Sequence, residues 1–283
     1  MAETLQRNIQ YIPMINIHYA VQTCTTKSNQ GHKRFCSDSR SEITKKCVTS
    51  FFESVEYLTQ INQNLTHHIR IIDDSSDQET IDYLKALCEK YTSDTIIPEI
   101  VFTKFDGIMD SIGACYQYLV DNGDNLVFQI QDDYMFTKTA IYEMIDLFYQ
   151  LYAEKETQSV ISGYNCPGWY SGNNKYRQEP IVMVPGIKRY WRQIFNTSCS
   201  FLTSINILKE NWDLIELFLT LHPLESRLEA DSLNHMFVRR GIAGFCPINS
   251  VTFHMQSDYE RDPYIDWKPI WDSIDIDWYE KSI

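Results

Sequence analysis

The 283-residue sequence lacks several features that would place it in a special class of protein. It has no apolar run as long as a membrane span, and no low-complexity tract rich in glycine, proline or serine. It contains only 10 glycines and 9 prolines, whereas 43% of its residues are hydrophobic and 13% aromatic. This composition predicts a folded globular protein with a substantial core.

Positive charge is also scarce. Lysine and arginine number 25 against 38 aspartates and glutamates, which gives a formal net charge of −13. This balance argues against a nonspecific grip on nucleic-acid phosphates and against adhesion to an anionic membrane. A local basic patch such as Lys188, Arg189 and Arg192 could still bind a phosphate.

The cysteines form no CxxC pair and no compact framework, so we interpret them as reduced thiols. The segment from Met1 to Pro13 is polar and lacks the apolar centre of a signal peptide. Both observations favour a cytoplasmic protein. The eight cysteines are Cys24, Cys36, Cys47, Cys88, Cys115, Cys166, Cys199 and Cys246.

Strand-like apolar runs alternate with helical patterns through the first half of the chain. Such alternation predicts βαβ units, an α/β fold and a mainly parallel central sheet flanked by helices. The predicted strands are 15–24, 68–72, 97–102 and 125–130, and the predicted helices are 41–60, 78–91, 111–120 and 140–153.

The second half, after a boundary near residue 155, is less regular. The stretch 166–185 is rich in glycine, asparagine, tyrosine and proline, which indicates a long loop or a β excursion. We expect the tail after His254 to be a loop. The remaining predictions are strands at 160–164, 199–203 and 245–254, and helices at 207–220 and 231–240.

Paired carboxylates follow two of the predicted strands, Asp73-Asp74 and Asp132-Asp133. Open α/β sheets bind ligands at the carboxyl ends of their strands, where the first pair could accept hydrogen bonds from a base or a ribose. Two adjacent acids, as in the second pair, need a cation or solvent to offset their negative charges. A divalent ion that also binds a phosphate would do this. The alternative for each pair is a turn or a helix cap.

Four segments together resemble the GT-A-fold glycosyltransferases, most closely the inverting family 2 type. The resemblance extends from about residue 15 to about residue 255. It implies a Rossmann-like sheet, with 1–155 as the nucleotide-sugar-binding half and 156–283 as an irregular acceptor-binding half with a C-terminal tail. The segments are IIDDSSDQETIDYLKAL, VFQIQDDYMF, EADSLNHMFVRRG and VTFHM.

The resemblance also implies a set of donor and metal residues. Asp133, with His254, would bind Mn²⁺ or Mg²⁺, although a single histidine at a strand end is more often structural. Gln131 departs from the pattern, because it stands where relatives often have an acid. The implied contacts to the donor nucleotide are Thr23, Thr25, Asp73, Asp74, Lys104 and Asp132.

On the acceptor side, the resemblance implies that Asp231 is the catalytic base, with Glu229 as the second choice. The alternative is that Asp231 only caps the following helix. Most aromatic residues of this half are expected to pack in the interior, and Trp191 is the preferred stacking contact for an acceptor sugar.

The sequence therefore predicts a metal-dependent enzyme that transfers a sugar from a nucleoside-diphosphate sugar to a hydroxyl of a carbohydrate or glycan acceptor, with inversion. It predicts no nucleic-acid partner and no membrane span. The nearest alternative is a retaining transferase on the same fold, and two alternatives of other classes also stay open. One is a non-catalytic carbohydrate-binding protein on a transferase fold, and the other is a sugar nucleotidyltransferase, which the single glycine of QTCTTKSNQGHKR disfavours.

Overall fold

A computed structural model describes residues 15–27, 36–155, 158–166, 182–197, 200–221, 229, 231–255, 262 and 264–279. Its first half consists of β1 (Ile15–Thr23), α1 (Arg40–Ile61), β2 (Leu65–Asp74), α2 (Gln78–Tyr91), β3 (Ile96–Thr103), α3 (Ile108–Asn122), β4 (Leu126–Gln131), β5 (Tyr134–Phe136) and α4 (Ala140–Lys155). The second half consists of β6 (Ser159–Ile161), β7 (Met183–Pro185), β8 (Tyr190–Ile194), β9 (Leu202–Ser204), α5 (Ile205–Glu210), α6 (Trp212–Thr220), α7 (His235–Val238), β10 (Ala243–Pro247), β11 (Thr252–His254) and α8 (Lys268–Ser273).

One nine-stranded sheet, in the order β3-β2-β1-β4-β9-β6-β10-β8-β7, runs through both halves of the chain. The longest strands, β1 to β4, are mutually parallel, and β6 is parallel to β10. Strands β9, β8 and β7 add antiparallel pairs, so the sheet is mixed and mainly parallel. The prediction of an α/β protein with a mainly parallel central sheet is confirmed.

Two helices of the first half, α1 and α2, begin after polar residues that satisfy free backbone N–H groups. Ser39 and Glu42 form a reciprocal capping box at the start of α1. The Asp77 side chain accepts a hydrogen bond from the backbone N–H of Thr80 at the start of α2. Helix α2 therefore begins just beyond the end of β2, which fixes the short loop between them.

The core lies on both faces of the sheet. Helices α1, α2 and α4 cover one face with aromatic and aliphatic side chains such as Phe51, Leu84 and Ile145. Helices α3, α5, α6 and α7 cover the other face, where Ile112, Ile215 and Phe237 are buried. In the described part of the chain, no helix has the length and apolar character that crossing a membrane requires.

The second half departs from the sequence prediction in three places. The predicted helix 207–220 is two helices, because Asn211 ends α5 and its side-chain amide donates to the Ile207 carbonyl. The predicted strand 245–254 is two strands in different sheets: β10 ends at Pro247, and β11 pairs with β5. The predicted helix 231–240 is shortened to α7, preceded by turns.

The prediction that the C-terminal tail is a loop is wrong in part, because the tail contains α8. Trp271 of α8 is buried against Ile43 and Cys47 of α1, and its indole N–H donates to Asp38 at 2.9 Å. Most of the predicted excursion 166–185 lies outside the described residues, but its end forms β7. Antiparallel pairing with β8 explains this strand, and that pairing has no local signal in the sequence.

A buried acid in α4 gives a test of this packing. Burial raises the pKa of Asp146 from 3.8 to about 6, and the neighbouring Glu143 adds to the shift. An acid whose pKa is raised on folding binds more protons folded than unfolded, so stability falls as pH rises from about 4 to about 6. We expect Asp146→Asn to remove this fall and to gain about 2 to 3 kcal/mol at pH 7.5.

The measurement is urea unfolding of both proteins at pH 4 and pH 7.5. At pH 4 the difference should shrink to well under about 1 kcal/mol, because Asp146 is then protonated in the folded protein and about half protonated in the unfolded protein. An equal gain at both pH values would contradict the assignment of the raised pKa to this side chain.

Candidate functional site

The carboxyl ends of β1, β2 and β4 lie side by side, and the strand order reverses at β1. In the register of the sheet, Thr23 lies opposite Asp73, and Gln22 lies opposite Gln131. Such a switch point opens a crevice at the carboxyl edge of an α/β sheet, where ligands bind. The structure therefore brings the two predicted acid pairs, Asp73-Asp74 and Asp132-Asp133, to one edge. We call this region the acid crevice.

Asp73 is buried and tightly held within the acid crevice. The Thr23 hydroxyl donates to its carboxylate at 2.8 Å, and the backbone N–H of Ser76 donates to it at 3.0 Å. Its carbonyl accepts from Thr103 at 2.9 Å. The intervening Ser75 has a φ of 67°, a left-handed conformation uncommon for a residue with a side chain. Asp73 thus organises the turn that shapes the crevice.

Asp74 is also buried, and it forms an ion pair that sequence analysis missed. The ammonium of Lys27 donates to both carboxylate oxygens at 2.7 Å and to the Phe105 carbonyl at 2.5 Å. The backbone N–H of Phe105 donates to Asp74 at 2.9 Å. The predicted donor contact Lys104 is the exposed neighbour of Phe105, so it lies in the loop next to this pair.

Thr25 connects the end of β1 with the start of α2. Its hydroxyl donates to the Asp77 carboxylate at 2.6 Å and accepts from the Asp77 backbone N–H at 2.8 Å. Thr23 therefore holds an acid in the last residues of β2, and Thr25 holds an acid just beyond that strand. This arrangement fixes the wall of the crevice on the predicted nucleotide side.

Asp132 is the third buried acid of the crevice. Its carboxylate accepts from the backbone N–H of Cys24 at 2.9 Å and from the Thr44 hydroxyl at 3.1 Å. It also forms an ion pair with Arg40, whose Nε donates to the Cys24 carbonyl at 3.1 Å. These contacts join the ends of β1 and β4 to the first turns of α1.

The ion pair leaves an uneven charge balance. Burial raises the pKa of Asp132, and Asp133 raises it further, although Arg40 opposes both effects. Burial alone would lower the pKa of Arg40, but the two acids outweigh it and raise the pKa. One guanidinium thus serves two carboxylates, which gives this group a net charge of about −1 at neutral pH.

Asp133 lies between Arg40 and the predicted metal ligand His254. One carboxylate oxygen is 3.6 Å from Nη1 of Arg40, and the other is 3.6 Å from Nε2 of His254. His254 is brought there by the pairing of β11 with β5, and its ring stacks on Tyr134 with centroids 4.7 Å apart. The backbone N–H of Met255 donates to the Asp133 carbonyl at 2.7 Å.

Asp133 and His254 form a donor set that fits a divalent ion in part. A carboxylate oxygen and an imidazole nitrogen are both suitable ligands, and they face each other across 3.6 Å. Among the residues that the structure describes, no group of three or more His, Cys, Asp or Glu side chains could hold an ion alone. A bound ion would therefore need further ligands from water or a substrate.

Trp191 does not fit its predicted role as an acceptor contact. It lies in β8 and has no exposed surface, because it is packed into the main core. A ring without an exposed face cannot stack against a sugar, so we correct this prediction. Trp191 is a structural residue of the sheet.

Asp231 is exposed and lies in the turns that precede α7. Asn234, in the same turns, accepts a hydrogen bond from the backbone N–H of Thr197 at 2.9 Å, which ties this segment to the end of β8. The nearby Glu229 is partly buried, and burial raises the pKa of its carboxyl. Both candidate bases thus belong to the second half of the chain.

Two cations of the site, Arg40 and Lys27, were missed by sequence analysis. A signal existed for Arg40, since the order Ser39-Arg40-Ser41-Glu42 is a capping box that places Arg40 in the first turn of a helix. A positive charge is unfavourable there because of the helix dipole, which indicates an acidic partner nearby. The sequence does not reveal which acid that partner is.

Comparison with models of protein families and with curated proteins finds no match for this sequence. The candidate site is therefore argued from its geometry alone.

We expect the two adjacent acids to differ in their contribution to stability. Asp132→Asn leaves Arg40 partly unpaired in a buried site and should cost about 3 kcal/mol of unfolding free energy. Asp133→Asn, whose contacts to Arg40 and His254 are 3.6 Å long, should cost no more than about 1 kcal/mol. Urea unfolding at pH 7.5 compares the two, and equal losses would show that Asp133 is as structural as Asp132.

Proposed function

We propose that this protein is a metal-dependent glycosyltransferase of the GT-A type, which transfers a sugar from a nucleoside-diphosphate sugar to an acceptor hydroxyl. The observation that carries the proposal is the position of Asp133. It follows β4 at the switch point of the sheet, next to the acids that follow β2, and it faces His254 from a distant strand. A crevice of this kind suits a nucleotide on one side and a phosphate-bound ion on the other.

The charge of the crevice supports the requirement for an ion. Asp132, Asp133 and Arg40 together carry about −1, and a diphosphate would be repelled by this charge. With Mn²⁺ or Mg²⁺ bound by Asp133 and His254, the same group would carry about +1. That ion would supply Lewis-acid stabilisation of the negative charge that develops on the leaving diphosphate.

The chain's own residues would form the donor site. Thr23, Thr25, Asp73, Asp74 and Asp132 would shape and line the donor site. In the structure each of them is already engaged in hydrogen bonds, so their part is to hold the crevice rigid. Lys104, exposed beside this wall, is the remaining candidate for a direct contact to the donor.

On the acceptor side, Asp231 would accept the proton of the attacking hydroxyl, and attack from the face opposite the diphosphate would invert the anomeric configuration. Its exposure permits contact with an acceptor. Glu229, with its raised pKa, is the second candidate for this role. The second half of the chain would then bind a carbohydrate or glycan.

The seven cysteines among the described residues are free thiols, which supports a cytoplasmic location.

The first test is binding. Thermal unfolding is recorded with each nucleoside diphosphate, with and without Mn²⁺. A protein of the proposed function should be stabilised by one nucleotide, and more strongly when Mn²⁺ is present. Asp133→Asn should lose the part of this stabilisation that depends on Mn²⁺. Its melting temperature without ligand should stay within a few degrees of that of the natural protein. No stabilisation by any nucleotide, with or without Mn²⁺, would contradict the proposal.

The second test is catalysis, with the nucleotide-sugar of the base so identified and a panel of sugar acceptors. We expect Asp231→Asn to lower transfer by about 100-fold or more, because a general base typically contributes that much. Glu229→Gln is the matched control and should retain most activity. The opposite result would assign the base to Glu229. NMR of the product distinguishes inversion from retention, and binding without transfer or donor hydrolysis would favour a non-catalytic carbohydrate-binding protein.

A further inference from the structure

Arg40 is held at the centre of the acid crevice by three fixed points. The capping box of α1 sets its backbone, its Nε donates to the Cys24 carbonyl, and its Nη2 pairs with Asp132. The side chain is 20% exposed. A planar guanidinium anchored at two of its nitrogens has little freedom to move.

The third nitrogen, Nη1, is the part of Arg40 directed towards Asp133. It is buried and has no hydrogen-bond partner in the described part of the chain, and the Asp133 carboxylate lies 3.6 Å away. A buried donor without an acceptor is costly, so a small rotation of Asp133 towards Nη1 would be favourable. The same carboxylate is also 3.6 Å from His254 on its other side.

We propose that Arg40 competes with the divalent ion for Asp133 and thereby keeps the ion affinity of the free protein low. This inference rests on the proposed function. Arg40 is a positioning residue, since it holds Asp132 away from the ion and offers Asp133 a resident positive charge. A divalent ion must displace that charge from Asp133 and must also bind near a guanidinium of the same sign.

A consequence follows for the order of binding. Because Asp132, Asp133 and Arg40 together carry only about −1, the ion gains little by entering alone. It gains more when a diphosphate brings additional negative charge and further oxygen ligands. The ion should therefore enter mainly together with the donor diphosphate, and Arg40 is the residue that imposes this dependence.

The experiment measures binding of Mn²⁺ alone, by isothermal titration calorimetry at pH 7.5 without any nucleotide. Arg40→Gln removes the competing charge and should bind Mn²⁺ about 10-fold more tightly than the natural protein. The double variant Arg40→Gln/Asp132→Asn removes both charges of the Arg40–Asp132 ion pair and restores a net charge of about −1. Because the competitor for Asp133 is still absent, it should bind about 3-fold more tightly than the natural protein.

Arg240→Gln is the matched control. It removes a guanidinium that pairs with Asp213 at the surface, and so changes the total charge by the same amount. We expect its Mn²⁺ affinity to equal that of the natural protein. Adding Asp133→Asn to Arg40→Gln should abolish the gain. If Arg40→Gln does not fold, as judged by circular dichroism, the double variant with Asp132→Asn decides the comparison.

Absence of tighter Mn²⁺ binding in the folded variants overturns the inference. The failure of the inference about Arg40 and the failure of the proposed function give different results. A sugar transferase in which Arg40 variants bind Mn²⁺ no more tightly would refute only the role of Arg40. A protein with the expected gain in Mn²⁺ affinity but without nucleotide binding or sugar transfer would refute only the proposed function.

Discussion

The buried ion pair between Asp132 and Arg40 is the interaction on which the acid crevice depends. It connects the end of β4 to the first turn of α1, and through the Cys24 backbone it also fixes the end of β1. Breaking such a pair leaves a charge buried without compensation, which costs far more than an exposed pair contributes. The pair therefore fixes the three segments in one geometry, and the position of Asp133 follows from it.

The same pair separates the roles of two adjacent acids. Asp132 has its hydrogen-bonding capacity taken up by Cys24, Thr44 and Arg40. Asp133 lies 3.6 Å from the Arg40 guanidinium on one side and 3.6 Å from the His254 imidazole on the other. An acid held between two such groups can change partners at small cost. Because of this difference, we propose that Asp132 is structural and that Asp133 binds the ion of the proposed function.

The second half of the chain contributes to the site by long-range pairing. Strand β11 reaches across to β5 and delivers His254 to the crevice, and α8 packs on α1 close to the turn that carries Arg40. Lys27 and Phe105 likewise close over Asp74 from two separate loops. The crevice is thus a product of the whole fold, although most of its acids come from the first half.

The sequence by itself determined the alternation of strands and helices, the position of both acid pairs at strand ends and the bounds of α2, since these follow from local periodicity and capping. Only the tertiary structure decided that Arg40 and Lys27 compensate those acids, that Trp191 is core rather than surface, and that 245–254 divides between two sheets. The acid that pairs with Lys27 is 47 positions away along the chain, and the acid that pairs with Arg40 is 92 positions away. No local sequence pattern encodes such distances. Burial, and with it the charge balance of the crevice, exists only once the sheet has brought those segments together.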